Sequence, residues 1–132
     1  MNSEYTTYKI ALMLKNLGFK EDCLGVIYPD GEVITGSLSW SVIMANKDKE
    51  SLKAPLWSQV LNWFRKEHCI YVDIITEFVN KTPYGYYYCI NGTFKCGIYG
   101  SHIAAVEQSV LKAIEMISPE VLEKEENLLF LK

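Results

Sequence analysis

At 132 residues, 49% hydrophobic and 22% charged, the chain has the length of one domain and the composition of a folded one, which excludes general disorder. Its net charge is −3, with one arginine, Arg65, and no basic run, so it lacks the clustered cations from which nucleic-acid binders gain most of their affinity. The longest apolar stretch near the start, residues 10–14, is too short for a signal-peptide core or a membrane span, and a cytoplasmic protein without membrane attachment is expected.

The spacing of Tyr8, Ala11, Leu12, Ile10, Leu14 and Leu17 predicts a first helix over about residues 5–17, capped by Ser3 or Thr6 and ended at Gly18. Residues 23–28 read as a strand, Pro29-Asp30-Gly31 as a turn, and residues 32–35 as the returning strand. Residues 38–45 suit one more strand, and the charged stretch 46–53 suits a connection between an N-terminal portion, 1–45, and the rest. Pro55 then opens a helix with Leu56, Val60, Leu61 and Phe64 at helical spacing, its stripe widened by Trp57 and Trp63, up to the cluster Arg65-Lys66-Glu67. Three strands follow, over residues 69–80, 84–90 and 93–99, and a helix over 103–117 with Ser101 as its N-cap. Ser118-Pro119-Glu120 opens a short acidic helix or tail, 118–132, where residues 107–132 hold six of the acids against three lysines. The expectation is therefore one α+β domain over 1–132, with an α-βββ-α unit at 54–117 and an antiparallel sheet with helices on one face.

Asn91-Gly92 is a strong hairpin signal, because a type I′ turn needs positive φ at both central residues. It sets Ile90 opposite Thr93, Cys89 opposite Phe94 and Tyr87 opposite Cys96. One side of this hairpin then holds Tyr87, Cys89, Phe94, Cys96 and Ile98, the natural surface for helices to cover. The other side holds Tyr86, Tyr88, Ile90, Thr93 and Lys95. In the preceding strand, Ile70, Val72, Ile74 and Phe78 alternate with Tyr71, Asp73, Ile75, Glu77 and Val79. Grouping Tyr71, Ile75 and Val79 with Tyr86, Tyr88, Ile90 and Lys95 gives a tyrosine-rich face with few charges, which something should cover: the N-terminal half, a second copy or another protein, or a flat small ligand.

Chemistry-bearing motifs are sparse. Cys23, Cys69, Cys89 and Cys96 form no CxxC pair and, without an export signal, read as reduced thiols; no metal, cofactor or catalytic residue is assigned. His68 and Cys69, if extended, point to opposite faces. Asp73 and Glu77 lie four residues apart on one strand face, roughly 13 Å, beyond the separation of a glycosidase pair. His102 has no nucleophile placed beside it, and phosphate loops, GxSxG and HExxH are absent. The element order over 55–117 matches that of double-stranded-RNA-binding domains, yet residues 100–105, where the last helix begins, contain no lysine to reach phosphates.

The phrases Ala54-Pro55-Leu56-Trp57-Ser58-Gln59-Val60-Leu61-Asn62-Trp63-Phe64-Arg65-Lys66-Glu67-His68 and Lys15-Asn16-Leu17-Gly18-Phe19, with the Tyr-rich strands and the closing helix, resemble a group of short uncharacterised proteins encoded by phages and prophages of gut Bacteroidetes. The resemblance spans about residues 5–117 and carries a packing pattern without an active site. It implies action in a bacterial cytoplasm, as a virion or infection-stage accessory or against a host defence. The leading expectation is a non-enzymatic protein acting by self-association, as a dimer, or by binding another protein. Sequestration of a small nucleotide-like ligand by Tyr71, Tyr86 or Tyr88 with Lys95 comes second, and an enzyme third.

Overall fold

The computed structural model describes residues 4–35, 51–94 and 98–121. It has an α+β fold that divides into two compact units, one reaching Trp57 and the other spanning Ser58–Leu122. The expected strand over 38–45, Lys95, Cys96 and most of the acidic tail lie outside the described residues.

The first unit opens with helix α1 (Tyr8–Asn16). Its cap is Thr7 rather than Ser3 or Thr6: the Thr7 hydroxyl accepts from the Ile10 N–H at 3.3 Å. Thr6 is buried instead, and its N–H donates to the Pro55 carbonyl. The helix ends as its sequence requires. Gly18 takes φ +95°, the Gly18 N–H donates to Lys15 and the Phe19 N–H to Leu14, which is a complete Schellman motif that satisfies the last carbonyls.

Strands β1 (Gly25–Ile27), β2 (Val33–Thr35) and β3 (Leu52–Ala54) form an antiparallel sheet in the order β2-β1-β3. The β1–β2 turn is the expected one, with Gly31 at φ +92° and the Glu32 N–H donating to the Asp30 carboxylate at 2.9 Å. Residues 52 and 53 belong to β3, which corrects their reading as connection: Leu52 and Ala54 face inward while Lys53 is exposed, the alternation of a half-buried strand. Tyr5, Ala11, Ile27, Leu52 and Ala54 make the core of this unit.

Helix α2 (Trp57–His68) buries Val60, Trp63 and Phe64, the expected stripe. Cys69 is not the start of a strand: it stands at φ +54°, ending α2 in the left-handed conformation, and the Ile70 N–H donates back to the Phe64 carbonyl at 3.1 Å. Strands β4 (Val72–Val79), β5 (Thr82–Ile90) and β6 (Thr93–Phe94) form a second antiparallel sheet in sequence order. Among the described residues there are therefore two three-stranded sheets where one was expected. Helix α3 (His102–Ile117) begins at the predicted cap, the Ser101 hydroxyl accepting from the Ala104 N–H at 3.1 Å. It buries Val106, Val110 and Ile114 as its periodicity requires, together with the small residues Ala105, Ser109 and Ala113 that let it approach the sheet closely. One more helical turn, 119–121, follows Ser118.

Candidate functional site

The β4–β5 hairpin carries all the described members of the tyrosine-rich set, and its pairing decides which of them meet. At Asn91-Gly92, φ is +51° and +80°, with Ile90 opposite Thr93 and Cys89 opposite Phe94 as expected. Asn91 also closes the ladder with β4: the Tyr71 N–H donates to its side-chain oxygen and the Asn91 N–H to the Tyr71 carbonyl, both at 2.8 Å. Tyr86 lies opposite Tyr99, two residues out of step with simple extrapolation from the turn.

The other end of the hairpin overturns the expected face. Asn80 and Lys81, at φ +50° and +66°, make a two-residue turn that sets Val79 opposite Thr82 and Phe78 opposite Pro83. Continued without interruption, that register would put Ile75 opposite Tyr86 and Tyr71 opposite Ile90, the grouping expected from sequence. A bulge intervenes between Glu77 and Phe78, where β5 spends one extra residue, Tyr84. Beyond it Ile75 lies opposite Tyr87, Ile74 opposite Tyr88 and Val72 opposite Ile90. A one-residue slip exchanges the two faces of a strand. Tyr86, Tyr88 and Ile90 thus share a side with Val72 and Ile74, whereas Tyr71 and Ile75 share the opposite side with Asp73, Tyr87 and Cys89.

Helix α3 covers the Tyr86–Tyr88–Ile90 side from within the second unit. The His102 ring, at its first turn, meets Tyr86 edge-on at 5.8 Å between centroids, and Tyr99 stacks on Tyr88 at 6.2 Å. Tyr88 and Ile90 are buried. Burial first, then the neighbouring Tyr99 and Glu115, push the Tyr88 phenol pKa up. Tyr88 and Ile90 on this side belong to the core, while Tyr86, Val72 and Ile74 are half-buried, and the side expected to lie under helices is the more open one.

On that other side coverage fails away from the Asn91-Gly92 end. Cys89 is buried and Ile75 and Tyr87 are half-buried, while Tyr71 is 52% and Ile98 55% exposed. Towards the Asn80-Lys81 turn both sides open: Phe78, on the side of Val72 and Ile74, and Val79 and Tyr84 are each more than half exposed. Only Leu24 and Met116 are large apolar side chains of similar exposure elsewhere among the described residues. Ile98 packs over the bare backbone of Gly85, where a Cβ would collide with the Ile98 Cγ2. Sequence reasoning missed Phe78, Tyr84 and Ile98 as surface residues, and the one available signal was Pro83-Tyr84, which reads equally well as the end of a strand.

The remaining chemistry is modest. His68 closes α2 with its ring against Trp63 at 4.7 Å, and Cys69 is exposed beside it. Among the described residues no three His, Cys, Asp or Glu side chains converge as a metal site would require. No helix among them is long and apolar enough to cross a membrane. Compared with protein-family models, with curated proteins and with solved structures, the chain matches none of them.

Proposed function

We propose that the protein is a non-enzymatic interaction module that self-associates, one copy meeting a second through the edge of β4 and the exposed end of the β4–β5 hairpin. The observation that carries this reading is the concentration of exposed Tyr71, Phe78, Val79 and Tyr84 along the β4–β5 hairpin and the residue leading into it, whose strand β4 pairs on one side only among the described residues. An unpaired strand edge with apolar side chains along it is a template for a further strand.

A second copy suits this edge because the arrangement can be self-complementary about a two-fold axis. Antiparallel pairing of two β4 strands centred on Ile75 would set Asp73 opposite Glu77 of the other copy twice, which like-charge repulsion disfavours. Centring on Thr76 separates the acids and sets Ile74 opposite Phe78 in each half. The resemblance to phage-encoded proteins would place the module in a bacterial host cytoplasm as an accessory factor.

Light scattering across a concentration series tests the reading: a mass approaching twice the 15.1 kDa of the chain is expected for the wild type. Tyr71→Ser with Phe78→Ser, both at exposed sites, should return the monomer mass with an unchanged melting curve. A wild type that stays monomeric throughout rejects the proposal, and a dimer untouched by the double substitution rejects this surface as its interface.

A further inference from the structure

The first unit contains a cleft of about 440 Å³ beside the end of α1, within the size range of small-molecule sites. Among the described residues its lining includes three lysines, Lys15, Lys20 and Lys53, and no acid, in a chain whose net charge is −3. Its apolar lining comes from Ala11, Phe19, Leu52 and Pro55, all buried. We infer that this cleft binds a small organic anion, with a phosphate, sulfonate or carboxylate head among the ammonium groups and a compact apolar body against Phe19 and Pro55.

Three features support the inference. Lys15 and Lys20 have no acidic partner among the described residues, and Lys53 has only a 3.7 Å pairing with Asp22, whose side chain is fully exposed. Such a solvated pair is worth little and is readily given up to a ligand. The helix end nearby would ordinarily repel an anion through its free carbonyls. Here those of Met13, Leu14 and Lys15 accept from the N–H groups of Leu17, Phe19 and Gly18, and the same Schellman motif fixes Phe19 and Lys20 at the mouth. Finally, an apolar floor with a cationic rim selects for both parts of the ligand, since an inorganic anion cannot use the floor and a neutral apolar molecule cannot use the rim.

The test is titration of the folded protein with anilinonaphthalene sulfonate, followed by fluorescence, with competition by octanoate, by AMP and by inorganic phosphate. One probe per chain should bind, and Lys20→Gln and Lys53→Gln, which leave the core alone, should each weaken binding about three- to tenfold. Displacement by octanoate alone supports the site with a lipid-like carboxylate as its ligand; displacement by AMP supports it with a nucleotide. Inorganic phosphate should compete far more weakly than either. Probe binding indifferent to both lysine substitutions, or no binding at all, overturns the inference. Neither outcome bears on self-association, which uses the other unit.

Discussion

Cys69 holds a left-handed backbone conformation, φ +54°, at the point where α2 ends, a position that glycine fills at least cost. Its side chain is exposed, so replacing it loses little packing. Cys69→Gly should therefore raise stability by about 0.5–1 kcal/mol in urea unfolding, despite the extra freedom glycine gives the unfolded chain. Cys23 shows the opposite environment. It is buried, its thiol donating to the Glu21 carbonyl at 3.4 Å, and its pKa is pushed up to about 11, by burial first, with Glu21 and Asp22 adding and Lys53 opposing. Because the thiolate forms near pH 9 in the unfolded chain but only near 11 in the folded one, the native state forgoes an ionisation that the unfolded state gains. Stability should fall across pH 9–11 by on the order of 2 kcal/mol more in the wild type than in Cys23→Ala, as read from paired denaturation curves.

Elements were legible where local chemistry decides them. The caps at Ser101 and Gly18 and the turns at Pro29-Asp30-Gly31 and Asn91-Gly92 all announce themselves in the sequence, because each residue type there supplies a φ or an acceptor that few others can. The face of β4 was not legible, since alternation along one strand does not say which neighbour it meets, and the answer turned on a bulge at Tyr84 that no residue type demands. Strand β3 was hidden for another reason: three residues at the end of a charged stretch offer too little periodicity to read. Gly85 shows how closely the bulged segment is fitted. Gly85→Ala would press on Ile98 and should cost about 1–3 kcal/mol. Adding Ile98→Ala should recover most of that loss, so a double-mutant cycle should give a coupling well outside additivity.

For the whole molecule, the two proposed surfaces respond to salt in opposite ways. Burial of Tyr71, Phe78 and Tyr84 between copies is apolar and leaves only Asp73 and Glu77 to repel, so association should hold or tighten when sodium chloride rises from about 0.05 to 0.5 M. Anion binding among Lys15, Lys20 and Lys53 should weaken over the same range, because exposed ammonium groups are screened at these ionic strengths. The candidate cleft was invisible from sequence for a simple reason: the lysines that line it are separated by up to 38 positions in the chain, and only the pairing of β3 with β1 brings residue 53 to the unit that contains α1.

The hydrogen bonds between Asn91 and Tyr71 also bear on how the protein ages. An asparagine followed by glycine is the sequence most prone to spontaneous deamidation, which requires the glycine nitrogen to attack the asparagine side-chain carbonyl. In the folded hairpin that carbonyl oxygen accepts from the N–H of Tyr71, twenty positions away, so the side chain must leave this hydrogen bond before it can turn freely towards the glycine nitrogen. Conversion to aspartate, visible as a mass gain of roughly one dalton, thus needs this end of the hairpin to open first, and its rate serves as a slow chemical clock of that opening.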